Sequence, residues 1–255
     1  MQIESAFDAQ QALKKVREKT YGAIVMDASL ADGEPSGLLQ EIRSIEPRAK
    51  VLLTAGSSVP ATVINAIRRH AFSFFSKPLQ PVAVAEMVTE ALRANTWEDD
   101  IELLSGREDW ITIAVRCKIE TVTRLVQFIR EIGVNLEPEV REDIAVAFRE
   151  LLLNAIEHGG RSDQNKRVRV SCVRTSQTVI CLMQDPGEGF SLQNLPHAAI
   201  SNPPDSPVRH IEVRSEQGYR PGGFGILLTR SLVDELIYSE QGNEVLFVKY
   251  IKRHR

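Results

Sequence analysis

One helical stretch constrains what this chain can fold into more than any other. Between Val140 and Glu157, Ile144, Phe148, Leu151, Leu152 and Ala155 recur at helical spacing. They form an apolar stripe that must be buried against a core. Beside it, Glu150, Asn154 and His158 recur every fourth residue, which places them along one face of the same helix. Gly159-Gly160 stops the run. A carboxylate and an amide one turn apart beside a core have the chemistry to activate a hydroxyl and to hold a metal ion. A solvated polar face accounts for the same pattern, so the helix alone leaves both readings open.

The chain of 255 residues has room for one large domain or two of ordinary size. A net charge of -3 gives no electrostatic case for nucleic acid or for an acidic membrane. No apolar run reaches the ~20 residues of a spanning helix, and Met1-Gln2-Ile3-Glu4-Ser5 lacks the basic and apolar regions of a signal peptide. The expectation is a cytoplasmic protein. Cys117, Cys172 and Cys181 have no metal-ligand spacing and read as reduced thiols, although Cys172 and Cys181 fall on neighbouring predicted strands.

Residues 1–95 alternate helices with short apolar runs. Ala9–Glu18 reads as a helix, and Ala23–Met26 as a buried strand delivering Asp27 at its end. Helices over Leu38–Ile45, Ala61–His70 and Val82–Arg93 are separated by strands Lys50–Gly56, which carries Thr54, and Phe72–Phe75, which leads to Lys77-Pro78. Such alternation predicts a parallel α/β sheet. Ligands of such sheets sit at the C-terminal strand ends, where Asp27, Thr54 and Lys77 all fall.

This order resembles the receiver domain of bacterial response regulators. The resemblance implies that Asp27 is the phosphoacceptor position, that Thr54 and Lys77 sense the phosphoryl group, and that Phe74 is the aromatic three residues before the lysine. The first strand and helix of a receiver, with the acidic pair that helps to bind Mg²⁺, have no counterpart, and Ala31 stands where the family has a proline. A missing central strand leaves backbone groups unpaired and a core face open. The implied domain is a receiver that either starts too late in this sequence or serves as an interaction surface. Phosphorylation of Asp27 is not expected, because the metal has one obvious carboxylate.

Residues 96–109 are polar and turn-rich and read as a linker. From 110 to 255 the reading is α+β: strands Trp110–Val115, Arg167–Val173, Val179–Met183 and Glu244–Ile251, and helices Glu120–Ile132, Val140–Glu157 and Leu227–Leu236. Two layers follow, with helices on one face of a mixed sheet. The segment 191–220 lacks periodicity and reads as a lid.

Three motifs carry chemistry in this half. The helix brings Glu150 and Asn154. A strand end brings Asp185-x-Gly187-x-Gly189, in which the carboxylate can accept from an exocyclic amine while the glycines admit close backbone approach. Gly222-Gly223-x-Gly225 stands directly before a helix and offers free amide donors to phosphate. The order of the three resembles the histidine-kinase-like ATPase superfamily, and within it the anti-sigma-factor serine kinases, whose motif helix has the same Glu-x-x-x-Asn-x-x-x-His order. Gly223-Phe224-Gly225-Ile226 followed by Arg230-Ser231-Leu232-Val233-Asp234-Glu235 is similar as well.

The resemblance implies ATP and Mg²⁺ as cofactors, with Asn154 on the metal, Asp185 on adenine, and Gly187, Gly189, Gly222, Gly223 and Gly225 around the nucleotide. It implies Glu150 as general base toward a partner serine, and Arg220 as the lid arginine near the terminal phosphate; His158 is expected to be structural. Its implied partners are an anti-sigma-antagonist protein and a sigma factor, and self-association as a homodimer stays open. The competing function is a nucleotide-dependent binding module that sequesters a partner and transfers no phosphate. A sensor histidine kinase is disfavoured, since none of the five histidines lies between residues 96 and 140.

Overall fold

A computed structural model describes residues 2–30, 35–56, 59–95, 97, 100–189, 216 and 224–251. Two compact units emerge: residues 1–103 with 123–134, and residues 104–122 with 135–255.

In the first unit, the helix α1 (Ala9–Glu18) begins at Asp8, whose side chain accepts a hydrogen bond from the Gln11 amide. It leads to the strand β1 (Ile24–Asp27), and α2 (Pro35–Ile45), β2 (Val51–Ala55), α3 (Pro60–Arg68), β3 (Ser73–Ser76) and α4 (Pro81–Arg93) follow. Both α3 and α4 start on a proline, which costs nothing where the amide would lack a partner anyway. The sheet is parallel with order β1-β2-β3, as the alternation of elements predicts. All five residues of β2 are buried, which is why that run carries no polar alternation. Leu52, Phe72, Phe75, Met87, Ala91 and Trp97 form one core.

The two edges of this sheet differ. On β1, Val25 is 49% exposed. On the β3 side lies the helix α5 (Glu120–Ile132), most of which belongs to this unit. Arg124 Nε donates to the Phe72 carbonyl at 3.1 Å and Gln127 Nε2 to the Phe74 carbonyl at 3.0 Å, while the Ser76 amide donates to Glu131 Oε2 at 3.1 Å. Side chains spaced three and four residues apart on a helix thereby satisfy alternate backbone groups along a strand. Arg124 also pairs with Asp100 at 3.7 Å and stacks over the rings of Phe72 and Trp97.

The second unit is built on a six-stranded sheet of order β4-β5-β6-β7-β9-β8. Its strands are β4 (Ile101–Arg107), β5 (Trp110–Arg116), β6 (Arg167–Arg174), β7 (Thr178–Gln184), β8 (Glu235–Tyr238) and β9 (Glu244–Tyr250). Every pairing described from β5 to β9 is antiparallel. The helix α6 (Pro138–Asn154) packs on α7 (Gly225–Leu232) and on β7 and β9. Phe148, Leu152 and Ile156 bury their side chains completely, as do Ile113, Val168 and Phe247.

Three readings of the sequence need correction. Residues 101–107, read as linker, are the strand β4; it is an edge strand with Glu102 and Ser105 in its sequence, so it shows little apolar alternation. The helix read as Leu227–Leu236 stops at Leu232, Val233 is extended, and Glu235–Tyr238 forms the edge strand β8. The cysteines read as reduced include a disulfide: Cys172 and Cys181 stand directly opposite on β6 and β7, with Cα atoms 4.2 Å apart. Cys117 is free and buried. Among the described residues, no helix is long and apolar enough to cross a membrane.

Candidate functional site

The site grows from the end of α6. After Asn154 the helix widens into a π turn over Ala155–Gly159, a distortion frequent at functional sites. It delivers Gly159 against the carboxylate that follows β7. A Cβ on Gly159 would lie 2.2 Å from Asp185 Cγ, and one on Gly187 would lie 2.8 Å from both Asp185 Oδ1 and the Gly159 carbonyl. Side chains at these two positions would fill the space beside the carboxylate. Gly189 has φ 85°, and its missing Cβ leaves room for the Gln241 carbonyl; only glycine takes that turn without strain. Asp185, Gly187 and Gly159 thus form one cradle. Sequence reasoning treated Gly159 as a helix stop alone.

Within the cradle, Asp185 Oδ1 accepts from the Gly187 amide at 2.8 Å, its one hydrogen bond among the described residues. Burial pushes its carboxyl above the usual range, against the lowering by that amide. A half-buried carboxylate with a single amide donor keeps acceptor capacity for an incoming N–H group. Behind this wall lies Cys117, whose thiol is pushed up to about 11, first by burial and then by the charges of Asp163 and Asp185. A Cβ on Gly160 would lie 2.3 Å from its sulfur.

At the other end of the stripe, Glu150 and Asn154 meet the start of α7. A Cβ on Gly225 would lie 2.9 Å from Glu150 Oε2 and 3.7 Å from Asn154 Nδ2. The Asn154 amide has no hydrogen-bond partner among the described residues. Arg149 Nη1 donates to the other Glu150 oxygen, Oε1, at 2.8 Å. The α7 N-terminus exposes amide donors and the positive end of its dipole. Thr229, fully buried, returns its hydroxyl to the Gly225 carbonyl at 2.8 Å and ties the first turn down. His158 is exposed and lies in the π turn. Arg220, Gly222, Gly223 and the 191–215 part of the lid lie outside the described residues, as does the Ala31 position.

In the first unit, parallel register sets Asp27 beside Thr54, and the Lys77 amide donates to the Ala55 carbonyl at 2.8 Å. The three strand ends therefore place Asp27, Thr54 and Lys77 together. Lys77 Nζ donates to Asp27 Oδ2. The Ser29 amide and hydroxyl donate to Oδ1 at 2.9 and 2.8 Å. These donors, the lysine first, hold the Asp27 carboxyl below the usual range. Thr54 and Phe74 are buried.

A half-buried carboxylate in a glycine cradle and a helix start facing Glu150 and Asn154 make up the candidate site. The chain belongs to the histidine kinase-like ATPase domain family, which it matches over residues 115–249, more than half its length. Domains of this family bind ATP. The response regulator receiver domain family matches residues 1–89, so a receiver domain precedes the ATPase domain.

Among curated proteins, the chain is similar to the serine-protein kinase RsbW of Oceanobacillus iheyensis. The two are 26% identical over 111 residues, covering 43% of this chain and 65% of that protein. It is also 30% identical over 104 residues to the transcriptional regulatory protein ZraR of Salmonella typhimurium, covering 41% of this chain and 23% of that one. The chain therefore spans about a quarter of the length of ZraR and less than two thirds of RsbW. Among solved structures, the receiver domain of NtrX from Brucella abortus matches with 28% identity and a TM-score of 0.35, covering 37% of this chain and 81% of that one.

Proposed function

We propose that this chain is an ATP- and Mg²⁺-dependent protein serine/threonine kinase. Its substrate is a small antagonist protein in the control of a sigma factor, and the receiver domain adjusts the exchange. The observation that carries the reading is Glu150 Oε2 facing the Gly225 start of α7 beside the Asn154 side-chain amide, which has no hydrogen-bond partner among the described residues. A pure nucleotide binder needs the cradle but has no use for a carboxylate there. The resemblance to RsbW, by name a serine-protein kinase, supports the same reading.

The residues divide the work. Asp185 accepts a hydrogen bond from the exocyclic amine of adenine, with Gly187 and Gly159 letting the ring approach. The free amides of α7 meet phosphate oxygens. The Asn154 side chain, with Glu150 near it, fits a Mg²⁺ ion, which needs few protein ligands when phosphates and water supply the rest. Bound there, Mg²⁺ supplies neutralisation of phosphate charge. Glu150 takes the proton of the partner's hydroxyl.

Incubation of the full chain with radiolabelled ATP, Mg²⁺ and candidate antagonist proteins tests this. Label is expected on a partner serine or threonine, and Glu150→Ala should lower transfer by about 10²–10⁴-fold with ATP binding kept. ATP binding with no transfer to any candidate would instead identify a nucleotide-dependent module that sequesters its partner.

A further inference from the structure

We infer that Arg149 is a positioning residue that aims the Glu150 carboxylate, an inference that rests on the kinase reading above. The two oxygens of Glu150 have different surroundings. Oε1 accepts the hydrogen bond from Arg149 Nη1 at 2.8 Å. Oε2 faces the start of α7, 2.9 Å from the point where a Gly225 Cβ would stand. Arg149 holds one oxygen, and the absence of a side chain at Gly225 leaves the other clear.

This division matters because the terminal torsion of a glutamate is broad and two-fold. An unanchored carboxylate samples orientations in which neither lone pair meets a hydroxyl lying on the phosphate line. Consecutive helical residues point about 100° apart, so the pair forms only because the long arginine side chain wraps around to its neighbour. The contact is one charge-assisted hydrogen bond, Nη1 to Oε1, which a shorter, point-charge ammonium reproduces only in part. The arginine side chain is 52% exposed and that of the glutamate 20%. Arg149 is thus the more solvent-exposed member of the pair.

In the transfer step, the partner's hydroxyl oxygen forms a bond to the γ-phosphorus. The bond from that phosphorus to the β,γ-bridging oxygen breaks, and its electron pair leaves on ADP. The hydroxyl proton passes to Glu150 Oε2. Arg149 touches neither the phosphorus nor the hydroxyl; it keeps Oε2 on the proton's path.

Single-turnover ADP formation from Mg·ATP, with the full chain and the antagonist that accepts label above, provides the rate test. Arg149→Ala is expected to lower the rate about tenfold, as loss of orientation does, with the Kd for a non-hydrolysable ATP analogue unchanged. Arg149→Lys should recover part of the loss. In a Glu150→Gln background, Arg149→Ala should change nothing further, which a structural role would not produce. In the nucleotide-free protein, the hydrogen-bonded guanidinium ¹⁵N–¹H signal of Arg149 should be visible and should vanish in Glu150→Gln. The inference is overturned if Arg149→Ala leaves the rate intact while Glu150→Gln removes it, or if its effect multiplies that of Glu150→Gln. Wild-type rates in Glu150→Gln alone would overturn the kinase reading itself, and the inference with it.

Discussion

Asp27 and Asp185 both stand at the C-terminal end of a strand, and both are followed by a tight turn. They differ in what meets them. Asp27 has Lys77 on one oxygen and two Ser29 donors on the other, and its carboxyl is held below the usual range. Asp185 has one amide, a half-buried setting and a carboxyl pushed upward. The first carboxylate carries its own counter-ion and is complete in the isolated chain. The second has one donor among the described residues, which leaves acceptor capacity for a partner from outside. Between them they show that two strand-end aspartates can differ in how much hydrogen-bonding capacity their surroundings leave open.

Removing each carboxylate should separate these roles. The largest effect is expected for Asp185→Ala, with ATP affinity falling about 10–100-fold for the loss of a hydrogen bond to a charged acceptor; titration calorimetry reads it. Asp27→Ala should leave that affinity unchanged, and equal losses in both variants would break the comparison. Next comes pH. An ionised carboxylate accepts from adenine's amine more strongly than a protonated one, and the Asp185 carboxyl lies above the usual range. ATP affinity of the wild type should therefore fall on acidification while ordinary carboxylates are still ionised, and this fall should be absent in Asp185→Asn.

The smallest effects are on stability, and they have opposite signs. A carboxyl lowered by folding stabilises the fold above about pH 3.9 and stops doing so as pH falls. A carboxyl raised by folding supports the fold in acid and withdraws that support as pH rises from its unfolded value through its folded one. At neutral pH, Asp185→Asn should raise the melting temperature of the nucleotide-free protein, and Asp27→Asn should lower it. The Asp27 loss is about 0.2–1 kcal/mol, the range of a partly exposed ion pair. Shifts of the same sign in thermal melts would contradict the assignment of resident and absent partners.

Much of the fold is legible in the sequence because its elements keep their own periods. Val51-Leu52-Leu53 is apolar throughout and is buried on both faces, and Ile144, Phe148 and Leu151 mark the buried face of α6 at helical spacing. The misreadings fall where two periods coincide or where burial is one-sided. Leu232, Val233 and Leu236 fit a helical spacing, yet the chain extends at Val233 into β8. β4 is mostly exposed and so lacks an apolar signature. At the site, Glu150, Asn154, Asp185 and Gly225 are readable as motif positions because their chemistry is local. Gly159 is not, since its role arises only when the π turn brings it to Asp185. Arg124, Gln127 and Glu131 likewise carry no signal within their helix; their use as backbone partners depends on a strand some fifty residues away.

Those three side chains bear on how the protein can be taken apart. A fragment cut after residue 103 would retain every strand of the receiver sheet and lose the helix that seals its last one. The Phe72 and Phe74 carbonyls and the Ser76 amide would then be open to any extended peptide that met them, so such a fragment should self-associate more strongly than the whole chain. Residues that belong to the receiver's packing are encoded inside the ATPase family's stretch, and a clean excision has to follow the packing.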